Sequence, residues 1–146
     1  MRQFFQLKKK FQWKSIPRRK NLSKFSQDKA KVLESLLNDS DLVLDALFGY
    51  SFKGPLRDPY PEILESFRHV ENKILSVDIP SGWDVDKGNV LKLFNPGANI
   101  SLMLPKLGLK DYKGRHFLGG RFMPLSIKKK FQLEVPGGAD KVLLHT

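Results

Sequence analysis

The sequence contains no cysteine, which excludes disulfides, thiolate nucleophiles and cysteine-ligated zinc for these 146 residues. It also lacks an internal repeat and any apolar run long enough to cross a membrane. The length suffices for one domain with one core. Hydrophobic residues make up 40% of the chain, a little below the roughly 45–50% apolar share of globular domains, so the composition is compatible with a folded domain.

No acidic residue precedes Asp28, whereas the lysines and arginines of this first segment carry most of the net charge of +11. A basic, acid-poor segment with scattered phenylalanines is typical of a mitochondrial transit peptide. It is also typical of a basic patch that binds nucleic acid or an anionic membrane. A third interpretation, an ordinary helix of the domain, depends on the family resemblance given below.

The stretch from Asp41 to Gly88 contains two short apolar runs with a helical pattern between them. The runs Leu42 to Leu47 and Lys73 to Ile79 are rich in Val, Ile and Leu and too short for helices, so each predicts a buried strand. Between them, Asp58 is expected to cap a helix that has Pro59 at its first position. Four apolar residues then recur at helical spacing: Ile63, Leu64, Phe67 and Val70. The three segments predict a βαβ unit.

Each predicted strand carries an aspartate near its carboxyl end, Asp45 in the first and Asp78 in the second. Because a right-handed crossover makes the strands parallel, both ends reach one edge of the sheet, where open α/β sheets bind ligands. A carboxylate inside an apolar run is costly to bury alone, so the pattern favours a paired site at this edge. The alternative for either residue is a simple cap on the following turn.

Two loops follow these aspartates. The first, Gly49 to Pro55, offers glycines, backbone N–H groups and Lys53, which suits phosphate or is simply solvated. Pro55 stands where a Walker A loop would need its lysine, so a nucleoside triphosphatase is excluded. The second loop, Ile79 to Gly82, presents the hydroxyl of Ser81 beside Asp78. Beyond it, Asp84 to Gly88 lacks the final glutamate of an EF-hand and predicts a surface turn.

Three segments, DALFGYSFKG, SVDIPSGWDVDKGN and GRHFLGGRF, occur in that order. They closely resemble the NAD(P)H-hydrate epimerase family, also described as the YjeF N-terminal domain and as apolipoprotein A-I-binding protein, from Asp41 to Pro136. The resemblance implies an α/β fold, a Rossmann-like three-layer α/β/α sandwich with a mostly parallel sheet. It also implies an isomerase of metabolite repair that interconverts the R and S epimers of hydrated NADH and NADPH.

The resemblance assigns roles to both loops. It puts the substrate on Gly49, Tyr50, Ser51, Phe52, Lys53, Gly54, Pro55 and Asp78, and a potassium ion, the expected cofactor, on Asp45 and Ser81. Asp78 is the expected acid/base group, because epimerisation needs proton movement and an apolar strand can raise the pKa of a carboxylate. Potassium suits the other pair, since it takes hard oxygen ligands.

The resemblance also predicts the organisation of the chain. Phe4 to Ile16 is expected to be a helix of the family's domain, so the first strands and a Gly-Asn-Asn-Gly-Gly-Asp-Gly loop that supplies an asparagine to potassium are expected to be missing. The predicted units are a basic segment with a helix over 1–40, the second half of the domain over 41–136 and a tail over 137–146. A sheet without its first strands exposes an edge and an apolar face.

Three function classes stay open: the epimerase, a non-catalytic binding module like the mRNA-decapping enhancer that shares this fold, and a fragment or interaction protein. Asp45, Asp78 and Ser81 favour the enzyme over nucleic-acid binding. The expected partners are hydrated NADH or NADPH, a second copy in a homodimer and an apolipoprotein A-I-like protein, with no membrane span. The expected compartment is mitochondrial or cytoplasmic, or extracellular as for secreted members.

The rest of the chain predicts further elements. Lys29 to Asn38 is expected to form a helix with Ala30, Leu33, Leu36 and Leu37 on its apolar side. Strands are predicted at Asn99 to Leu104, Gly114 to Phe122 and Val142 to Leu144, with a polar connection over Lys106 to Lys113 and a basic helical turn from Ser126. Trp83 is expected to pack, and His116, which has no metal-spaced companion, to be structural.

Overall fold

The computed structural model describes residues 27–120, 123–133 and 143–145. The helix expected over Phe4 to Ile16 lies outside these residues. The elements in chain order are α1 (Gln27–Asn38), β1 (Val43–Asp45), α2 (Tyr60–Ser66), a 3₁₀ helix (Phe67–Lys73), β2 (Ile74–Val77), β3 (Ala98–Leu102), a 3₁₀ turn (Leu107–Leu109), β4 (Arg115–Gly119), α3 (Leu125–Lys130) and β5 (Leu143–His145).

The strands form one sheet in the order β1-β2-β3-β4-β5. The first four strands are parallel, and β5 pairs with β4 in the antiparallel sense. The predicted βαβ unit is therefore confirmed, and so is the Rossmann-like α/β class with its mostly parallel sheet. Because parallel strands end on the same side, β1 to β4 all direct their carboxyl ends to one edge.

One face of the sheet packs against α1, α2 and the 3₁₀ helix that follows α2, and we call it the helix face. Ile74 of β2 lies there in a cluster with Leu33 and Leu37 of α1. The four apolar residues predicted after Pro59 complete this cluster and are 0–3% exposed: Ile63, Leu64, Phe67 and Val70. Ala30 is exposed, so the apolar side of α1 is narrower than predicted.

The opposite face, which we call the open face, carries the alternate side chains of the same strands. Leu44 of β1 and Leu102 of β3 are 46% and 44% exposed there. Leu75 and Ile100 line a groove of about 300 Å³ on this face. The apolar face that we expected to be exposed is therefore present on the described strands. Within the part of the chain that the structure describes, none of the helices has the length and apolar character that a membrane crossing needs.

Several predicted boundaries are wrong. β1 ends at Asp45 rather than Leu47, and β3 ends at Leu102, because Met103 adopts a φ of 67° that leaves the extended region. Asp58 does not cap α2, because the flanking position is taken by Pro59 and no side chain caps the helix. The helix starts instead from the turn that the Tyr60 N–H closes on the carbonyl of Arg57 (3.0 Å).

Other predictions differ by one or two residues. β2 is Ile74–Val77 within the predicted Lys73 to Ile79, and β4 is Arg115–Gly119 within Gly114 to Phe122, of which 121–122 lie outside the described residues. β5 lies one residue later than predicted, and the basic turn begins at Leu125 as α3. Val70 is buried as expected but sits at a kink, with a φ of −132° inside the 3₁₀ helix.

Candidate functional site

The two aspartates singled out in the sequence lie at the same edge of the sheet. Asp45 is the last residue of β1, and Asp78 directly follows β2, its parallel neighbour. Both are buried, at 1% and 9% exposure. The arrangement confirms that the carboxyl ends of the strands bring these residues to one edge, and the two carboxylates have different partners.

Asp45 is held by a dense set of hydrogen bonds. Its Oδ2 accepts from the Ser76 hydroxyl (2.8 Å) and from the Ser81 N–H (2.9 Å), and its Oδ1 accepts from the Ser81 hydroxyl (2.5 Å) and, at 3.4 Å, from the Leu47 N–H. An acceptor-only pattern is that of a carboxylate. Among the described residues no lysine or arginine forms an ion pair with it, so its charge lacks a protein counter-ion there.

Ser81 joins the two loops that follow the strands. Its hydroxyl accepts a hydrogen bond from the Phe48 N–H (2.9 Å) while it donates to Asp45. Gly82 completes the turn with a φ of +83°, a left-handed conformation that favours glycine. The Ser81 hydroxyl, which the sequence placed beside Asp78, therefore bonds to Asp45 instead, the residue with which the resemblance groups it.

Asp78 is fixed at both its backbone and its side chain. Its φ of 76° places it in the left-handed region, which is uncommon for a residue other than glycine. The carboxylate accepts the Tyr50 N–H at 2.8 Å and forms an ion pair with the Lys106 ammonium at 2.5 Å. These contacts tie the first loop and the segment after β3 to one carboxylate.

The pKa of Asp78 is lowered, contrary to the expected rise. Burial raises the pKa of this carboxyl, as the apolar strand suggested, but the hydrogen bond from Lys106, the Tyr50 N–H and the positive charge of Lys106 outweigh it and hold the pKa below the usual 3.8. Asp78 is therefore ionised at neutral pH. A group in this state accepts a proton before it can donate one.

Lys106 is the site residue that the sequence reasoning missed. Besides Asp78, its ammonium donates to the carbonyls of Leu102 (2.9 Å) and Leu104 (3.1 Å), so all three of its protons have acceptors. The sequence predicts only a polar connection at this position. Its position just after β3 could have identified it. Residues at the carboxyl ends of parallel strands lie at the ligand-binding edge, and that rule applies to β3 as it does to β1 and β2.

The loop Gly49 to Pro55 is only partly drawn into the site. A Cβ on Gly49 would lie 3.2 Å from Asp78 Oδ2, and the Tyr50 N–H bonds to the same oxygen. Phe52 packs its ring on Phe48, with centroids 4.6 Å apart. The remaining members of the predicted set are exposed, and no described contact joins them to Asp78: Ser51, Lys53, Gly54 and Pro55.

A groove of about 240 Å³ runs beside the ion pair. Its lining comes from three segments of the chain: Tyr50, Val85 with Asp86, and 104–107, which includes Lys106. Asp84 accepts the N–H groups of Asp86 (2.9 Å) and Lys87 (2.8 Å), which confirms the predicted surface turn. No cluster of three His, Cys, Asp or Glu side chains suited to a metal occurs among the described residues.

Two further predictions concern packing. Trp83 is 5% exposed and donates its indole N–H to the carbonyl of Phe94 (3.0 Å), so it packs as expected. His116 is 7% exposed, and its Nε2 lies 2.8 Å from the hydroxyl of Ser101. The position of His116 in the interior agrees with the structural role predicted for it.

Known proteins match both the sequence and the fold. The model of the family described as YjeF-related protein N-terminus matches residues 2–108. The NAD(P)H-hydrate epimerase of Paramecium tetraurelia is 51% identical over 109 residues, which cover 73% of this chain and 47% of that protein. That of Dictyostelium discoideum is 49% identical over 104 residues, covering 70% and 44%. The crystal structure of yeast ynu0, YNL200c, matches with a TM-score of 0.69 at 39% identity, covering 82% of this chain and 53% of that one.

The parallel sheet and the polar residues at its carboxyl edge define a Rossmann-like α/β domain with a site at the strand ends. Together with the matches, they show that this chain belongs to the YjeF-related N-terminal family. The chain spans about half the length of the curated relatives that it matches.

Proposed function

We propose that this chain acts as an NAD(P)H-hydrate epimerase, an isomerase of metabolite repair that interconverts the R and S epimers of hydrated NADH and NADPH. The observation that carries the proposal is the ion-paired Asp78 at the strand edge, one strand away from the buried Asp45, in a chain whose relatives bear this name. Two carboxylates in such different surroundings suit two separate tasks.

Asp78 is the acid/base residue in this proposal. Because it is ionised at rest, it first takes a proton from the substrate. The two epimers contain the same atoms, so the proton must return in the second half of the reaction and Asp78 ends as it began. Lys106 holds the carboxylate in place and supplies the positive charge that keeps it ionised.

The substrate would lie across the loop Gly49 to Pro55 and the groove beside Lys106. The Tyr50 side chain is 65% exposed, and Lys53 is exposed and free to meet a phosphate of the dinucleotide. The Tyr50 N–H already holds Asp78, so the same loop that contacts the substrate also orients the acid/base group. This coupling supports the assignment of Gly49, Tyr50, Ser51, Phe52, Lys53, Gly54 and Pro55 to substrate binding.

Potassium is the cofactor in this proposal, held by Asp45 and Ser81. The residues fit the ion, because a cation would relieve a buried carboxylate that has no ion-pair partner among the described residues. Ser81 adds a hydroxyl oxygen beside Asp45, and the Phe48 carbonyl lies 3.4 Å from that hydroxyl. The ion would supply positive charge at the strand edge. Asp45 and Ser81 also hold the Phe48 end of the substrate loop, so they would couple ion binding to the loop.

The family's other properties extend the proposal. A homodimer and an apolipoprotein A-I-like partner would both need an apolar surface, and the open face with Leu44 and Leu102 offers one. A mitochondrial, cytoplasmic or extracellular location, and the units 1–40, 41–136 and 137–146, remain predictions.

The test is an epimerisation assay on the 146-residue chain, in which chromatography follows conversion of pure R hydrate to S hydrate in potassium or sodium buffer. We expect conversion above the spontaneous rate, and faster in potassium. Circular dichroism must first show that the chain is folded. A folded chain that leaves the hydrate at its spontaneous rate in both salts would contradict the proposal.

A further inference from the structure

A row of buried polar side chains crosses the helix face of the sheet. Strand pairing aligns Asp45 with Ser76, Ser76 with Asn99 and Asn99 with His116, so the row runs from β1 to β4 at one level. All four are at most 7% exposed. Burying so many polar groups is costly unless they bond to one another or to the backbone, and the function proposed above uses only Asp45.

Strand β3, which contributes Asn99 to this row, bonds to the backbone of Asp78. The Asp78 N–H donates to the Ile100 carbonyl at 2.8 Å, and the Asp78 carbonyl accepts from Asn99 Nδ2 at 3.3 Å and from the Ser101 hydroxyl at 3.2 Å. A left-handed conformation in a residue other than glycine persists only where its surroundings restrain it. The three bonds supply that restraint on both sides of the residue.

The orientation of the Asn99 amide supports this interpretation. Its Oδ1 is buried and has no hydrogen-bond partner among the described residues. Turning the amide over would place Oδ1 against the Asp78 carbonyl, and two acceptors would then face each other. The side chain therefore keeps its donor on the Asp78 carbonyl at the cost of an unpaired oxygen.

Counting protons fixes the roles of Ser101 and His116. The Ser101 hydroxyl has three partners: the Asp78 carbonyl, Asn99 Nδ2 at 3.3 Å and His116 Nε2 at 2.8 Å. It has a single proton to donate and two lone pairs that accept. The Asp78 carbonyl can only accept, so the Ser101 proton goes to it. Asn99 and His116 must then each donate a proton to the Ser101 oxygen. Every bond of the cluster is satisfied only when His116 carries a proton on Nε2.

We propose that Asn99, Ser101 and His116 are positioning residues, which hold the Asp78 peptide in its left-handed conformation and so aim its carboxylate at the Tyr50 N–H and Lys106. His116 does this through Ser101, as the proton donor that directs the serine hydroxyl to the Asp78 carbonyl. The catalytic consequence rests on the proposed epimerase function. The geometric claim stands without it, and its tests need no activity.

The first test is the tautomer of His116, measured by ¹⁵N NMR on the histidine-labelled chain at neutral pH. The His116 signals are identified by their loss in His116→Gln. We expect a proton on Nε2. A neutral ring protonated on Nδ1 would overturn the proposal, because Ser101 would then have to donate to His116 and release the Asp78 carbonyl.

The second test uses the Tyr50 amide as a probe of the Asp78 carboxylate, whose Oδ2 lies 2.8 Å away. Asp78→Ala shows where the Tyr50 amide proton resonates without its acceptor. Ser101→Ala and His116→Leu should move the signal toward that position, and His116→Gln, which keeps a donor near Nε2, should restore it. A Tyr50 signal that stays at the parent position in a folded Ser101→Ala chain would contradict a positioning role.

A double-mutant cycle covers variants that lose stability. The effect of Ser101→Ala on stability is measured twice, once in the parent chain and once in the Asp78→Gly chain. Glycine is the suitable comparison because it adopts the left-handed conformation without restraint. We expect the folding equilibrium constant to fall by a larger factor in the Asp78 background. An equal fall in both backgrounds would mean that the contribution of Ser101 to stability does not depend on the left-handed conformation of Asp78, which would contradict the proposal. These tests measure structure and stability, so they hold even if the parent chain has no epimerase activity. Such inactivity would count only against the epimerase proposal.

Discussion

Replacing Lys106 by methionine removes a charge but keeps the length of the side chain, so it isolates the ion pair with Asp78. The two side chains are only 12% and 13% exposed, and the lysine also holds the carbonyls of Leu102 and Leu104. A pair this well shielded is worth more than a surface salt bridge but less than a fully buried one. The loss of three charge-assisted bonds, and an Asp78 carboxylate left with the Tyr50 N–H, predict that unfolding becomes easier by about 2–3 kcal/mol at pH 7.

The stability lost in Lys106→Met should become smaller at low pH. The pKa of Asp78 is lower in the folded chain than its usual 3.8, so the pair contributes fully above pH 3.8 and its contribution is lost as the pH falls through the lower folded value. The difference between the parent and Lys106→Met should therefore be constant between pH 7 and 5 and shrink toward pH 3.

Urea unfolding followed by circular dichroism at pH 7, 5 and 3 measures this difference. Lys110→Met is the matched control, since Lys110 is exposed on the same connection and should change stability by less than about 0.5 kcal/mol. If Lys106→Met cost no more than Lys110→Met at pH 7, or cost more at pH 3 than at pH 7, the ion pair would not be what lowers the Asp78 pKa.

Three further predictions concern other parts of the molecule. Asp45→Ala leaves the donors of Ser76 and Ser81 without an acceptor, so we expect the free energy of unfolding to fall by about 3 kcal/mol. Potassium should then raise the melting temperature of the variant no more than sodium does, and a potassium effect equal to the parent's would remove Asp45 from the ion site. Gly88→Ala puts a Cβ 2.6 Å from the Gly108 carbonyl oxygen at a φ of +78°, so it should lower the free energy of thermal unfolding by more than about 2 kcal/mol. Gly54→Ala, at a φ of +96° but with open space around the Cβ, should lower it by about 1 kcal/mol. Equal losses would refute the steric argument. Leu44→Lys on the open face should lower concentration-dependent light scattering, and Val32→Lys on α1, 60% exposed, should not; similar effects would show that the open face does not drive association.

The position of Asp45 and Asp78 at one edge of the sheet could be predicted from the sequence, because two local signals sufficed. The short runs rich in Val, Ile and Leu indicated strands, and the apolar spacing between them indicated a crossover helix. Parallel pairing then brought Asp45 and Asp78 to one edge without knowledge of any contact. The prediction failed for the Asp58 cap, where Pro59 takes the flanking position and leaves the aspartate outside the helix.

The rest of the site depends on contacts between distant residues that no local pattern carries. Lys106 meets Asp78 across 28 positions of the chain, and its charge reverses the pKa shift that burial alone would give. The row from Asp45 to His116 exists only because four strands share one register, which is set by the packing of their connections. Asn99 and His116 looked unremarkable for that reason.

Asp78→Asn is the most direct test of the claim that Asp78 moves the proton. Asparagine tolerates the left-handed conformation and still accepts the Tyr50 N–H, so the variant should keep the fold, although it loses the ionised carboxylate and with it the ion pair to Lys106. The measurement is R-to-S conversion by the parent and by the variant in potassium buffer, with far-UV circular dichroism of both chains. We predict conversion by the parent and only the spontaneous rate for Asp78→Asn. A folded Asp78→Asn chain that converts the hydrate as fast as the parent would contradict the claim.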